Sequence, residues 1–153
     1  MRVRDIMTAN PATCTPDSSL QHVAKMMLDC DCGAVPVVES AGSGHSIGII
    51  TDRDIVIRTL AQGRDPMNLS VRDAMSESTI TISADRDLKD AASTMKQNQI
   101  RRLVVTDGDA RIVGILAQAD IARQSKDRQT GALVEEISEP VGQSTRAMAG
   151  RNE

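Results

Sequence analysis

One short segment, Thr51-Asp52-Arg53-Asp54, carries side chains whose types and spacing could do chemistry. It lies where a strand-like apolar run changes to a helical pattern. The start of a helix offers free backbone N–H groups and the positive end of a dipole, and both suit a phosphate. The Thr51 hydroxyl could add a hydrogen bond, and the Asp54 carboxylate could accept from the vicinal hydroxyls of a ribose. The segment is therefore a candidate site for a sugar phosphate.

The same four residues also have the spacing of a capping box. In that motif Thr51 caps the helix and Asp54 reaches back to the start of the helix, and spacing alone favours this interpretation. A similar segment later in the chain keeps the acid as Asp120 but has Ala117 in place of the hydroxyl. Since a pure cap should suffer most from the loss of its hydroxyl, this difference shifts the balance modestly towards ligand binding.

Two adjacent arginines, Arg101 and Arg102, follow a helical pattern and enter an apolar, strand-like run. They could be ordinary surface charges. Alternatively, their planar guanidinium groups could grip phosphate oxygens, for which this side chain is well suited. The matching positions in the first half of the chain are Gly33 and Ala34, which carry no charge. If two clefts exist, only one of them has cations.

The cysteines and histidines do not form an evident catalytic or metal-binding set. Cys30 and Cys32 are two residues apart and His22 and His45 are the only imidazoles, whereas a structural zinc site generally needs four suitable ligands. Unreactive thiols in a reducing compartment are the preferred interpretation, ahead of redox sensing by the Cys30–Cys32 pair. With no nucleophile–base pair and no Gly-rich loop of the Walker type, the sequence predicts neither an enzyme nor a metal cofactor.

The composition excludes several classes of protein. The chain has 153 residues, a net charge of −3 and no Phe, Tyr or Trp. The acidic balance and the lack of aromatic side chains disfavour a nucleic-acid partner. No stretch has the length and apolar character of a membrane span, and no signal-peptide pattern is present, so we expect a cytoplasmic protein. Any bound base must lie between aliphatic side chains.

The elements that position these residues occur twice. Residues 3–7, Val-Arg-Asp-Ile-Met, return as Val-Arg-Asp-Ala-Met at 71–75, and residues 48–55 align with 114–121 after a loop that is two residues shorter. Two copies are too few for an open solenoid. We therefore expect the halves to pack face to face about a pseudo-twofold axis, with paired clefts between them.

Each copy has the pattern of a strand, a helix, two strands and a closing helix, which predicts an α/β (α+β) fold of two βαββα repeats. The predicted strands are 12–15, 35–38 and 47–50 in the first copy and 80–82, 103–105 and 112–116 in the second. The first helix should start at residues 16–18, and the closing helices should run from 52 to 60 and from 118. The predicted organisation is repeat one over 1–62, a linker over 63–70, repeat two over 71–124, and a last segment over 125–153 with a short helix at 130–137 and a disordered tail.

These copies resemble a pair of cystathionine-β-synthase (CBS) domains, or Bateman module, over about residues 1–124. The motifs that carry the resemblance are Asp5-Ile6-Met7-Thr8, Gly33-Ala34-Val35-Pro36-Val37-Val38, Gly48-Ile49-Ile50-Thr51-Asp52-Arg53-Asp54-Ile55 and Ile100-Arg101-Arg102-Leu103. Residues 51–58 are also similar to small stand-alone bacterial CBS-pair proteins of the hypoxic-response type, which have no catalytic domain. The resemblance implies a non-enzymatic regulatory protein whose ligand is an adenine nucleotide such as AMP, ADP, ATP or NAD.

The resemblance also implies that the site draws on both repeats. A hydroxyl and an acid from one repeat would hold phosphate and ribose, and basic residues would come from the other. The residues that it assigns to this site are Thr51, Asp54, Arg101 and Arg102, with Ile49 and Ile80 beside the adenine. Asp120 would serve the second cleft, where Ala117 departs from the family's pattern and no cation is available.

The resemblance further implies a homodimer formed through the helices, acting on a protein target that the sequence does not identify. A second interpretation stays open. The repeats could be a ligand-free scaffold for dimerisation, with a C-terminal segment that engages a protein partner. A nucleotide retained by the purified protein would separate these two interpretations.

Overall fold

The structure is a computed structural model that describes residues 1–77 and 79–124. The first repeat contains strand β1 (Thr8–Ala9), helix α1 (Leu20–Cys30), strands β2 (Ala34–Val38) and β3 (Ser46–Thr51), and helix α2 (Asp52–Arg58). The second contains strand β4 (Thr81–Ser83), helix α3 (Leu88–Asn98), strands β5 (Arg102–Thr106) and β6 (Ile112–Ala117), and helix α4 (Gln118–Gln124). The predicted α/β fold of two similar repeats is confirmed.

The helices differ from the predictions at their ends. Helix α1 begins at Leu20 and not at residues 16–18, because the Ser19 hydroxyl caps it by accepting from the backbone N–H of His22. Helix α2 stops at Arg58, since Thr59 leaves the helical backbone conformation. None of the described helices is long and apolar enough to cross a lipid bilayer. The helix predicted at 130–137 and the tail lie outside the described residues.

The strand predicted over 12–15 is reduced to one bridge. Cys14 pairs in parallel with Val37. Its N–H donates to one carbonyl of β2, and its carbonyl accepts from one N–H of β2. Proline at positions 11 and 16 brackets this segment and cannot donate a backbone hydrogen bond, which limits the pairing to its centre. The equivalent strand of the second repeat, β4, pairs in parallel with β5 over three residues.

The opening segment of each repeat lies on the sheet of the other repeat. Strand β1 pairs with β6, so that Thr8 stands opposite Ile115 in a four-stranded sheet of order β1-β6-β5-β4. At the equivalent place in the first repeat, Ser76 pairs with Ile49 of β3. The two repeats thus exchange their first segments reciprocally.

This exchange also completes the two hydrophobic cores. Val3 is fully buried in the core of repeat two, and its N–H donates to the Arg86 carbonyl at 2.9 Å. Val71 is fully buried in the core of repeat one, and its N–H donates to the Ser18 carbonyl at 2.8 Å. Each core therefore contains a valine from the opening segment of the other repeat.

Glycine permits the close approach of the exchanged segments. A Cβ on Gly48 would stand 2.4 Å from the Ser76 carbonyl oxygen, and a Cβ on Gly114 would stand 2.5 Å from the sulfur of Met7. Each glycine is the third residue of the strand that precedes a closing helix, Gly48 in β3 and Gly114 in β6. Their missing side chains make room for the segment from the other repeat.

Helices α1 and α3 end in the same turn. Asp31 and Gln99 adopt the left-handed conformation, with φ of 50° and 52°. The next N–H groups, of Cys32 and Ile100, each donate to the carbonyl five residues earlier at 3.0 Å, as in a Schellman motif. These turns bring the chain directly into β2 and β5, and so fix the positions of the residues at the starts of those strands.

Candidate functional site

Helix α2 begins with a complete capping box. Asp54 N–H donates to Thr51 Oγ1 at 3.1 Å, and Thr51 N–H donates to Asp54 Oδ2 at 3.0 Å. The second oxygen of Asp54, Oδ1, lies 4.0 Å from Arg58 Nη2, and the Asp54 side chain is 19% exposed. Thr51 and Asp54 therefore cap the helix, and Asp54 Oδ1 is the oxygen that remains for a ligand hydroxyl.

The second repeat keeps half of this arrangement. Ala117 N–H donates to Asp120 Oδ2 at 2.8 Å, but Ala117 has no hydroxyl to return the bond. Asp120 Oδ1 lies 3.6 Å from Arg123 Nη1. Asp120 therefore has a structural role at the start of helix α4, and its contact with a ligand stays a prediction.

Arg102 reaches from the second repeat to the start of helix α2 in the first. A Cβ on Gly33 would lie 2.8 Å from Arg102 Nη2 and 3.0 Å from Asp52 Oδ2. Asp52 N–H donates to the Gly33 carbonyl at 3.1 Å, so Gly33 adjoins the first residue of α2. The Arg102 guanidinium thus lies on the bare backbone of Gly33, beside the helical turn that contains Asp54.

Within residues 1–77 and 79–124, Arg102 has no carboxylate within 4.0 Å, although the Asp52 carboxylate adjoins the same position of Gly33. The Arg102 side chain is half-buried and makes no hydrogen bond or ion pair with residues in these two ranges. A guanidinium that is partly removed from water without a partner favours an anion as its partner. Arg101 is exposed just before β5, and its carbonyl accepts from Gln118 N–H at 2.9 Å. Of the two predicted arginines, Arg102 is thus the one placed against the first repeat.

The two predicted adenine neighbours border the segment that crosses between the repeats. Ile49 is half-buried in β3, and its backbone exchanges hydrogen bonds of 2.9 and 3.1 Å with Ser76. Ile80 lies four residues after Ser76 and packs against the core of repeat two. Their contact with a bound base stays a prediction.

Arg58 is a site residue that the sequence interpretation did not include. Its guanidinium donates to the carbonyls of Ala74 and Met75 at 2.9 and 2.6 Å and to the Ser76 hydroxyl at 3.3 Å. It thereby ties helix α2 to the crossing segment and places a positive charge near Asp54. The spacing of Asp54 and Arg58, four residues apart on a helix, is a signal that could have revealed their pairing.

Cys32 adjoins the same site. Its pKa is raised, mainly by burial and then by the neighbouring Cys30 thiol, while the charge of Arg102 acts in the opposite direction. Cys30 is exposed. In the described part of the chain, no three side chains among His, Cys, Asp and Glu come together to hold a metal ion.

Helix α2 turns an apolar face outward. Val56 and Ile57 are 50% and 44% exposed, and Leu60 beyond the helix is 61% exposed. The start of this face forms a surface depression of about 370 Å³, lined by Asp52, Arg53, Val56 and Ile57. Asp52 lines this depression and also adjoins Gly33, where the Arg102 guanidinium lies.

Comparison with known proteins shows that both repeats of this chain match the same family. The family model of the CBS domain matches residues 3–59 and again residues 71–127. The CBS domain-containing protein YhcV of Bacillus subtilis is 39% identical over 137 residues, which are 89% of this chain and 94% of YhcV. Hypoxic response protein 1 of Mycobacterium tuberculosis is 33% identical over 138 residues, 90% of this chain and 94% of that protein.

Solved structures with the same fold include two with bound groups. Hypoxic Response Protein I with two coordinated zinc ions has a TM-score of 0.69 and 32% identity, and the match covers 82% of this chain and 99% of that one. The CBS domain pair of MJ0100, in complex with 5′-methylthioadenosine and S-adenosyl-L-methionine, has a TM-score of 0.71 and 28% identity, with 80% and 98% covered. In both cases the matched part spans nearly all of the solved chain.

Proposed function

Because this chain belongs to the CBS domain family, we propose that it is a regulatory module, without enzymatic activity, that binds an adenine nucleotide between its two repeats. The observation that carries the proposal is the half-buried guanidinium of Arg102 beside the first turn of helix α2, where it makes no ion pair within 4.0 Å in the described part of the chain. A cation from one repeat thus adjoins the Thr51–Asp54 turn of the other, and together they offer partners for a ribose phosphate. The adenosyl ligands of the MJ0100 domain pair support the same class of ligand.

Each polar residue has a distinct role in the proposed complex. Arg102 binds the first phosphate through charge-assisted hydrogen bonds, which contribute about 1.5–3 kcal/mol each. The Thr51 hydroxyl donates to the same phosphate while its lone pair still accepts from the helix. Asp54 Oδ1 accepts from the ribose hydroxyls. Arg101, exposed at the start of the strand, extends towards a second phosphate, so that ADP, ATP or NAD can follow AMP.

The remaining residues define the base pocket and the asymmetry of the two clefts. Ile49 and Ile80 cover the adenine, since the chain has no aromatic ring for stacking. Asp120 faces the second cleft, where Gly33 and Ala34 supply no cation and Ala117 no hydroxyl. Phosphorylated ligands therefore bind the cleft of Asp54 and Arg102 in preference to the other.

Ligand binding in this cleft can change the relation of the two repeats. A nucleotide that contacts Arg102 of repeat two and Asp54 of repeat one favours any placement of the repeats in which both contacts form. A ligand shifts such an equilibrium only by its difference in affinity for the two states. AMP and ATP, which differ in length and charge, are therefore suited to produce different outputs from one site.

A retained ligand is the first test of nucleotide binding. The protein has no Trp, Tyr or Phe, so a bound purine would dominate its absorbance near 260 nm and could be identified by mass spectrometry. Calorimetric titration with AMP, ADP, ATP, NAD and S-adenosylmethionine then gives the affinities. Absence of binding by every one of these ligands would contradict the proposal and favour the ligand-free scaffold.

Asp54→Ala and Asp120→Ala form a matched pair, because both remove an acid that caps a helix. Each substitution should lower the free energy of unfolding by about 1 kcal/mol through the lost cap. Only Asp54→Ala should also weaken AMP binding, by roughly tenfold or more, since it removes the ribose acceptor. Equal losses of affinity in the two variants would refute the asymmetry of the clefts.

Arg102→Ala tests the phosphate contact directly. It should weaken AMP binding by roughly tenfold or more and leave adenosine binding nearly unchanged, because adenosine lacks the phosphate. Arg101→Ala should have a smaller effect on AMP than on ATP. If adenosine loses as much affinity as AMP in Arg102→Ala, the arginine supports the fold and does not bind phosphate.

The exposed face of α2 favours a second proposal, that the protein forms a homodimer through this helix. Val56, Ile57 and Leu60 together present an apolar surface, whereas α4 has Ala122 and Arg123 at the positions of Val56 and Ile57. Sedimentation equilibrium should show a dimer that Val56→Asp dissociates. Leu28→Asp, at an exposed leucine of helix α1, is the control and should leave the dimer intact. A monomeric wild-type protein would overturn this proposal.

A further inference from the structure

Two cysteines flank Asp31, the residue that ends helix α1, and the equivalent turn of repeat two has no cysteine. Helices α1 and α3 close with the same left-handed turn and the same backbone hydrogen bond. At the positions of Cys30 and Cys32, however, the second repeat has Asn98 and Ile100. Since the turn of repeat two forms with the amide of Asn98 and the aliphatic side chain of Ile100, the same backbone turn in repeat one does not require thiols at positions 30 and 32.

The backbone of Asp31 holds the two cysteines at a distance suited to a disulfide. The Cα–Cα separation across one residue is set by its φ and ψ, and those of Asp31, 50° and 47°, mirror the right-handed helix. Helix geometry gives about 5.4 Å for this separation, and a mirror image leaves it unchanged. Disulfides span Cα–Cα distances of about 4.4–6.8 Å. The Cα–Cα separation is therefore within the range of a disulfide, and the two thiols lie close enough for Cys30 to raise the pKa of Cys32.

We propose that Cys30 and Cys32 are a redox-active pair that closes to a disulfide by exchange with a low-molecular-weight disulfide such as oxidised glutathione. The Cys30 thiolate attacks one sulfur of oxidised glutathione, the S–S bond breaks, and one glutathione leaves. The Cys32 thiol then loses its proton and attacks Sγ of Cys30, and the second glutathione leaves. The two cysteines lose two electrons and two protons, and oxidised glutathione is reduced to two molecules of glutathione.

The environments of the thiols assign these two roles. Cys30 is exposed, so it is the sulfur that an oxidant in solution reaches first. Cys32 is half-buried, and burial together with Cys30 raises its pKa, so it reacts chiefly once a mixed disulfide stands beside it. Cys14 is buried, and burial raises its pKa to about 11, so it takes no part.

The resulting disulfide should be reversible. It closes a ring over a single intervening residue and lies at the surface, and strained or exposed disulfides are the ones that thiols reduce readily. Cys32 also precedes Gly33, on which the Arg102 guanidinium lies. The proposed disulfide thus lies next to the place where the two repeats meet. Its formation requires no bound nucleotide.

Peptide mapping after glutathione treatment tests the pair. The full chain is equilibrated with reduced and oxidised glutathione at several ratios, quenched with N-ethylmaleimide and digested with trypsin, which places Cys14 in residues 5–25 and both other cysteines in residues 26–53. The expected result is a 26–53 peptide lighter by about 2 Da than its dithiol form, unlabelled by maleimide and restored by dithiothreitol. Stable glutathione on Cys30 without ring closure, linkage between two chains, or full maleimide labelling at every ratio would each overturn the proposal.

Substitutions separate the two thiols. Cys32→Ser should accumulate a glutathione adduct on Cys30, whereas Cys30→Ser should react at least tenfold more slowly than the wild type. Cys14→Ser should form the disulfide as the wild type does. The double variant Cys30→Asn, Cys32→Ile, which copies the second repeat, should fold normally and lose the reaction. Equal rates for Cys30→Ser and Cys32→Ser would contradict the assigned order of attack.

Discussion

A methyl group on Gly33 should weaken nucleotide binding without harming the fold. The added Cβ would stand 2.8 Å from Arg102 Nη2 and 3.0 Å from Asp52 Oδ2, whereas ordinary contacts begin at 3.4 Å. The guanidinium must therefore retreat by at least 0.6 Å, the difference between 3.4 and 2.8 Å. The obstructing atoms are the ends of flexible side chains, and Gly33 is not among the glycines with positive φ. The substitution should move Arg102 and leave the backbone in place.

Gly33→Ala should lower the affinity for AMP but should not lower the free energy of unfolding. A charge-assisted hydrogen bond contributes about 1.5–3 kcal/mol and weakens as its alignment is lost. Losing about half of one such bond costs about 1 kcal/mol, which raises the dissociation constant of AMP about fivefold. Alanine also restricts the unfolded chain, so the free energy of unfolding should stay constant or rise by up to about 1 kcal/mol.

Calorimetry with AMP measures the affinity, and urea denaturation followed by far-UV circular dichroism measures the stability, since the chain has no aromatic fluorophore. Gly48→Ala is the matched control. Its Cβ would stand 2.4 Å from the Ser76 carbonyl oxygen, which is backbone and cannot turn aside, so stability should fall by roughly 1–3 kcal/mol. In an Arg102→Ala background, Gly33→Ala should have no further effect on affinity. Wild-type affinity in Gly33→Ala, or a loss of stability as large as that of Gly48→Ala, would refute the reasoning.

Three further predictions concern the cores, an acid and a thiol. Val3→Ala and Val71→Ala each truncate a fully buried side chain and should each cost about 2 kcal/mol of stability in one cooperative transition; two separate urea transitions would show that the repeats fold independently. Hydrogen bonding from the Ser70 N–H is the main cause that lowers the pKa of Asp73 from 3.8, so its contribution is present above that pH and lost as the pH falls through the lowered pKa. Asp73→Asn should therefore flatten the fall of the urea midpoint between about pH 5 and 2, and an unchanged slope would contradict this. Because burial raises the pKa of Cys14 to about 11, iodoacetamide at about pH 8 should modify Cys30 well before Cys14 in mass spectra; equal rates would show that Cys14 is accessible.

The order of elements in each repeat could be predicted because its signals are local. Apolar spacing identified the helices, and short apolar runs between turn residues identified the paired strands. The exchange of the opening segments could not be predicted. Val3 and Val71 stand in nearly identical motifs, and the motifs themselves do not distinguish burial on the same repeat from burial on the other. Only the packing of the whole chain decides between those two arrangements.

The candidate site was predictable to a similar degree. The spacing of Thr51 and Asp54 indicated a capping box, and the structure has one. The contact of Arg102 with Gly33 joins residues that are far apart in the sequence and depends on how the repeats meet. Gly33 was noted in the sequence for lacking a charge, but its other property, the absence of a side chain, is what gives the guanidinium its place.

The reciprocal docking of the two opening segments also constrains how the chain can be made. When a ribosome has released residues 1–62, the groove that will receive Val71 is still empty, and strand β1 has no partner strand until β6 has emerged. The core of repeat one can be completed only once Met75 has been made, and the core of repeat two only once Ile121 has been made. If the chain were cut at Gly63, the two pieces would each hold the other's missing valine, and their reunion would depend on concentration.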